Sequence, residues 1–332
     1  MLFRSAPRLE VRPEHLLLRG RAQASLVEQA ATTTRQRFGN RVFVRGVLEI
    51  SNFCRENCAY CGMRRDNRSL RRYRTHPEEL ARLLIDHRPP SLTDVNLQAG
   101  EDPVAAREVA LPLLRLLRRH TNLGLSVCLG TLDTDTYTAL QEAGATVYIM
   151  KFECADPARY RRFGAPGNLA ERLDHIGRLA ALGWNVSSGF IAGLPDESPD
   201  HIVESLHLAA RLPLAGCSVS PFIPGEHTPL AHAPAADIDL VLNCMALLRL
   251  MRPDWVIPAV SALNLAQPDA GYRRGLAAGA NMVTINLTPE TVREDYLLYT
   301  RDRFLMTCDR VSASLAAEGL QPSSLSLADH YA

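Results

Sequence analysis

Ile50-Ser-Asn-Phe-Cys54-Arg-Glu-Asn-Cys58-Ala-Tyr-Cys61-Gly62 is the stretch on which the reading of this chain turns. It follows directly on an apolar run, residues 42–50, that reads as a first strand. The three cysteines form a C-x3-C-x2-C motif with an aromatic residue before the third and a glycine after it. On a loop, that spacing brings three thiolates around the corners of one [4Fe-4S] cubane, for which thiolates are the usual ligands. A cubane has four irons, so Cys54, Cys58 and Cys61 leave one iron open. A closed zinc site is the competing reading, but it needs a fourth Cys or His close by in sequence, and there is none. The other five of the eight cysteines, Cys128, Cys154, Cys217, Cys244 and Cys308, are scattered. Eight in 332 residues is too sparse for a disulfide scaffold. Cys154 and Cys217 read as small buried thiols.

Outward from the motif, apolar runs bounded by Gly, Pro and Asp recur at residues 94–97, 124–129, 146–152, 185–191, 216–221, 256–260 and 282–285. Helical patterns alternate with them, among them 77–87, 104–119, 134–143, 169–182, 199–211 and 236–251. Eight β units alternating with helices predict a single (β/α)8 TIM barrel, with a doubly wound open sheet as the alternative. The expected domain layout is an N-terminal helical extension over 1–37, the barrel over 38–320 and a C-terminal tail over 321–332. In such a barrel the working residues sit on loops after the C-terminal ends of strands. A hydrophobic content of 46% supplies a core. A formal net charge of +1 gives no reason to expect nucleic acid or a membrane surface as partner. With no signal-peptide core before Pro13 and no run of membrane-spanning length, the expected location is cytoplasmic. The ten histidines form neither an HxH nor an HExxH pattern, so hydrolytic metal chemistry has no support.

Further stretches carry a family resemblance. Phe38-Gly-Asn-Arg-Val-Phe43, Cys61-Gly-Met-Arg-Arg-Asp-Asn67, Tyr73-Arg74, Gln98-Ala-Gly-Glu-Asp-Pro103, Phe222-Ile-Pro-Gly-Glu-His-Thr-Pro-Leu230, Ile257-Pro-Ala259 and Ala278-Gly-Ala-Asn-Met-Val283 are similar to the biotin synthase-like branch of the radical S-adenosylmethionine (SAM) superfamily. Within it they resemble in particular the HydE ([FeFe]-hydrogenase maturase) and PylB (methylornithine synthase) families. The resemblance implies a TIM barrel, a [4Fe-4S] cluster and SAM. It also implies SAM contacts. Gln98, Gly100 and Glu101 would receive the methionine amino group, and Arg172 would pair with its carboxylate. Glu153 would bind the ribose hydroxyls, the segment over residues 189–193 with Ile191 would flank adenine, Ser187 at the end of strand five would be a further SAM contact, and Tyr60 would pack beside the cluster.

The family patterns break in the substrate positions. Two ligand positions of biotin synthase's second cluster read Ser126 and Ser187 here, which speaks against sulfur insertion. Methylornithine synthase's substrate arginine and Ser/Asp pair read Ser218, Val260 and Ala262, and only Asp102 is retained. Ser261-Ala-Leu-Asn264 resembles the HydE strand-seven stretch, but Lys151-Phe152-Glu153 stands where HydE has Arg-His-Glu. The resemblance therefore implies an enzyme that cleaves SAM reductively to a 5′-deoxyadenosyl radical acting on a small, amino-acid-derived substrate. Asp102, Lys151, Ser218 and Ser261 are the pocket candidates, and a flavodoxin or ferredoxin is the expected one-electron donor. A methylornithine synthase-like mutase and a non-catalytic iron–sulfur scaffold stay open as alternatives.

Overall fold

In the computed structural model, which describes residues 10–301 and 304–332, the first long strand β1 (Arg41–Ser51) runs straight into the cysteine loop. Residues 1–9 of the expected N-terminal extension lie outside the described residues. Parallel strands β2 (Asp94–Ala99), β3 (Gly124–Cys128), β4 (Val147–Ile149), β5 (Asn185–Ala192), β6 (Gly216–Pro221) and β7 (Met282–Asn286) follow. Their order in the sheet is β6-β5-β4-β3-β2-β1-β7. A two-residue strand β8 (Gln321–Pro322) pairs with the start of β1. Helices separate the strands in sequence, as parallel pairing requires.

The expected strand over residues 256–260 is a correction. That segment takes the place between β6 and β7, but it holds on by single parallel bridges, Gly216 to Val256 and Pro258 to Met282. Pro258 has no N–H for a ladder, so regular pairing cannot continue through it. Side chains substitute for the missing ladder. Ile257 N donates to Asn281 Oδ1 (2.7 Å), and Arg249 donates to the carbonyls of Pro253, Trp255 and Gly279 at 2.8–2.9 Å. The architecture is thus a TIM-like α/β barrel of seven regular strands, its remaining stave irregular. The expected helix over 104–119 is likewise broken: a π turn, Ala106–Ala110, precedes Leu111–His120. Pro112 explains it, since it cannot donate the i→i−4 bond.

Alternation along β1 sets the inside against the outside. Val44, Leu48 and Ile50 are fully buried against the outer helices, while Arg45, Val47 and Glu49 line the barrel interior. Helix Ile238–Met251 is buried on nearly every side and packs under helix Gly20–Phe38. At the N-terminal end of the barrel, helix Leu327–Tyr331 covers the floor. Its Leu327 N donates to Asp94 Oδ1 (2.9 Å), and Leu327 packs with Phe43, Val147, Val256 and Met282. Among the described residues, no helix is long and apolar enough to cross a membrane.

Candidate active site

Beyond the last residues of β1 the chain cannot pair further, and the cysteine loop is held from outside instead. Arg72 donates to four carbonyls around it, those of Asn52, Met63, Arg64 and Asn67. Asn52 bridges Arg71 and Asp295 through their carbonyls, and Arg55 N, Ala59 N and Gly62 N donate to Glu101, Phe163 and Leu298. Gly100 lets β2's exit loop close on it, because a Cβ there would lie 2.4 Å from Phe53 O and 2.8 Å from the Cys54 Cβ. Cys54, Cys58 and Cys61 then open on one cavity of about 350 Å³ at the C-terminal ends of the strands. Burial pushes all three thiols up, Cys61 to about 12, and at Cys58 and Cys61 the neighbouring cysteines add to the effect. Among the described residues no three His, Cys, Asp or Glu side chains close around a single ion. Three thiols on one short loop, all opening on this cavity, are the donor set that a cluster takes.

Of the residues singled out in the sequence, all but one line this cavity: Cys54, Cys58, Cys61, Tyr60, Gln98, Gly100, Glu101, Lys151, Glu153, Arg172, Ser187, Ile191, Ser218 and Ser261. The exception is Asp102. It faces away and is held by a bidentate Arg74 (2.8 and 2.9 Å) and by the Ser51 hydroxyl (2.7 Å). Burial opposes its charge, but these bonds prevail and hold its carboxyl below the usual range.

Arg172 is no solvated helix arginine. It projects from Leu169–Ala181 into the barrel mouth and is 6% exposed. Its Nη1 donates to Glu101 Oε1 (2.7 Å) and its Nε to Lys151 O (2.8 Å). Burial disfavours its charge, and Glu101, together with Tyr160 and Glu153, outweighs it and raises it overall. The second Glu101 oxygen accepts from Thr131 N (2.8 Å) and Thr131 Oγ1 (3.1 Å). An acid and a base side by side, with Nη2 of the guanidinium unbonded among the described residues, form a template for an amino-acid zwitterion.

Glu153 adopts φ 61°, a strained backbone for a residue with a side chain. Phe152 N and Glu153 N both donate to Gly189 O, and Ile191 N donates to Glu153 O (2.8 Å), so the kink is fixed by β5. Its buried Oε2 lies 3.2 Å from Lys151 Nζ, at an angle that leaves the oxygen without a hydrogen-bond donor. A buried acceptor facing a cavity is matched by a hydroxyl-bearing ligand such as a ribose. Ser218 Oγ donates to Ser188 O (3.3 Å), and Ser261 is exposed at the rim. Cys154 is buried away from the cavity, its thiol turned toward Asp156 O (3.8 Å), and Cys217 is fully buried. Thr131, Arg72, Asn52 and the cavity-lining Arg45 were not singled out in the sequence, and no motif marks them.

The radical SAM superfamily profile matches residues 48–209. The [FeFe] hydrogenase maturase subunit HydE of Thermotoga maritima is 33% identical over 294 residues, 87% of this chain and 83% of that protein. A biotin synthase of Synechococcus is 28% identical over 90% of this chain and 94% of its own length. A crystal structure of methylornithine synthase (PylB) superposes with a TM-score of 0.82 at 25% identity, covering 93% of this chain and 92% of that one.

Proposed function

Because this chain belongs to the radical SAM superfamily, as an enzyme related to HydE, PylB and biotin synthase, we propose that it generates a 5′-deoxyadenosyl radical from SAM to act on a small, amino-acid-derived substrate. The cluster and SAM together supply the radical when bound, from one electron delivered by a donor of the flavodoxin or ferredoxin type. Cys54, Cys58 and Cys61 hold the iron. The observation that carries the reading is the Glu101–Arg172 pair opening on the same cavity as the three thiols. Glu101 accepts from the methionine ammonium, and Arg172 donates its free N–H groups to the carboxylate. Glu153 takes the ribose hydroxyls, with Tyr60, Gln98, Gly100, Ser187 and Ile191 around the remainder. The substrate occupies the barrel below, where Lys151 and Ser218 contribute polar contacts, with Ser261 at the rim. Asp102 supports the site through Arg74 and does not touch the ligand. The barrel walls exclude water, which keeps a radical from being quenched.

The test is anaerobic reconstitution followed by dithionite and SAM. The expected result is 5′-deoxyadenosine and methionine, with a SAM-induced change in the cluster's EPR signal. Loss of both in Cys58→Ala is expected. A reconstituted cluster that gives neither signal would support the scaffold reading and sink this one.

A further inference from the structure

Among the described residues, the charged side chains that line the cavity and have no part in the scheme above are Arg45, Glu49 and Glu56, and Arg45 is the one cation of these. Arg45 points inward from β1, six residues before the strand ends at Ser51, so roughly 20 Å of strand separates it from the cysteine loop. Among the described residues, its buried Nε has no hydrogen-bond partner. The hydrogen bond it does make is long, Nη2 to Thr284 Oγ1 at 3.5 Å. Asp94 is the first of the neighbours that offset the burial of its charge, yet Asp94 is committed to the Thr93 hydroxyl (2.7 Å) and the Leu327 amide (2.9 Å). A guanidinium carries five N–H donors, and burying it uncompensated is costly. Around it the cavity is walled by Val47, Ile149, Pro258 and Met282, with the hydroxyls of Ser187 and Thr284 at hand.

A partly satisfied cation at the closed end of an apolar chamber complements an anion on an apolar body. A planar fork suits a carboxylate, which it can bind through two parallel N–H···O bonds. A phosphate dianion would bring a second charge, and Lys151, the other cation of the interior wall, is already paired with Glu153. We propose that Arg45 seats a carboxylate of the substrate at the floor of the barrel. The cavity then takes a small molecule with a carboxylate at its inner end and the C–H that reacts nearer the cluster. This rests on the reading of the cavity as a radical SAM substrate chamber.

The test compares glutarate with its uncharged amide, glutaramide, by calorimetric titration into the anaerobically reconstituted, SAM-loaded enzyme. The expected result is at least about tenfold tighter binding of glutarate, as a charge-assisted bidentate contact gives. The preference should vanish in Arg45→Gln and persist in part in Arg45→Lys, with cluster content checked by iron analysis. Equal affinity for both probes, binding of neither, or an undiminished preference in Arg45→Gln overturns the proposal. Should Arg45→Gln not fold, the wild-type comparison and Arg45→Lys decide it. SAM cleavage under dithionite is measured on the same samples. Its absence strikes the parent reading and leaves the carboxylate preference standing as a property of the cavity.

Discussion

Replacing Arg172 by Met removes the cation from the barrel mouth while keeping most of its volume. Two bonds go with it: Nη1 to Glu101 Oε1 at 2.7 Å and Nε to Lys151 O at 2.8 Å. Both members of the ion pair are only 6% exposed, so water cannot replace what is lost. Breaking a buried pair by removing one partner costs about 3–5 kcal/mol, and an orphaned carbonyl adds about 1 kcal/mol. Thr131 still serves the other Glu101 oxygen, and the half-exposed Arg55 can approach from 3.5 Å, which argues for the lower end. The expected cost is therefore about 4 kcal/mol. Glu101→Gln in the same background removes the stranded charge, so the double variant should cost less than the sum of the singles by at least about 1 kcal/mol. Urea unfolding of the four proteins without cluster, followed by circular dichroism, measures the cycle. In the reconstituted enzymes, SAM affinity should fall at least about tenfold in Arg172→Met and only partly recover in Arg172→Lys. A single variant within about 1 kcal/mol of wild type, or an additive cycle, refutes the buried template.

Three more outcomes follow from particular contacts. Glu197 is buried where its carboxylate accepts from Gly193 N (2.6 Å), and burial raises it to about 7. An acid raised on folding gives stability that is complete below its unfolded value near 4.5 and is lost as pH rises through 7. Wild type should therefore lose about 3 kcal/mol relative to Glu197→Gln between pH 4.5 and pH 8, read from unfolding midpoints across that range. Arg249→Leu strips donors from the carbonyls of Gly279, Pro253 and Trp255 and should cost about 3 kcal/mol or more. Hydrogen exchange should speed up first at residues 253–260, and uniform protection there would count against their dependence on Arg249. Gly130→Ala adds a Cβ 2.3 Å from Glu101 Oε2 at φ 74°. Beyond about 1 kcal/mol of backbone strain, it should move Glu101 off Arg172 and weaken SAM binding at least about tenfold; calorimetry showing unchanged SAM affinity would remove Glu101 from the site.

What was legible in the sequence follows how locally each feature is encoded. The cysteine loop needs only spacing within twelve residues of Ile50, so it could be read outright. Most strands could be read too, because an apolar run between breakers leaves few alternatives. Residues 256–260 misled because an apolar run says that a segment is buried, not that its neighbours can pair with it. Asn281 and Arg249 supply that pairing from elsewhere in the chain. The Glu101–Arg172 contact spans 71 residues and was accessible only through family resemblance, not through any local pattern.

Asp102 and Lys151 show the same limit at the scale of a single residue. Resemblance to methylornithine synthase drew Asp102 into the pocket list, yet Glu101 and Asp102 present their side chains to opposite sides. Once Glu101 turns to Arg172, Asp102 must turn outward to Arg74. At Lys151-Phe152-Glu153 the alternation works in the other direction. Lys151 and Glu153 both face the cavity, and Phe152 drops into the core against Phe190 with ring centroids 5.8 Å apart. Arg45 obeys the same rule on β1, two residues from Val47 and four from Glu49, all inward. Strand parity applied to the charged residues of the predicted strands would have placed Arg45 on the face of Val47 and Glu49, whereas Asp102 lies beyond the strand expected to end at residue 97 and outside the reach of that rule. The inner end of this cavity is therefore encoded less in motifs than in which charges fall on the inward parity of the strands.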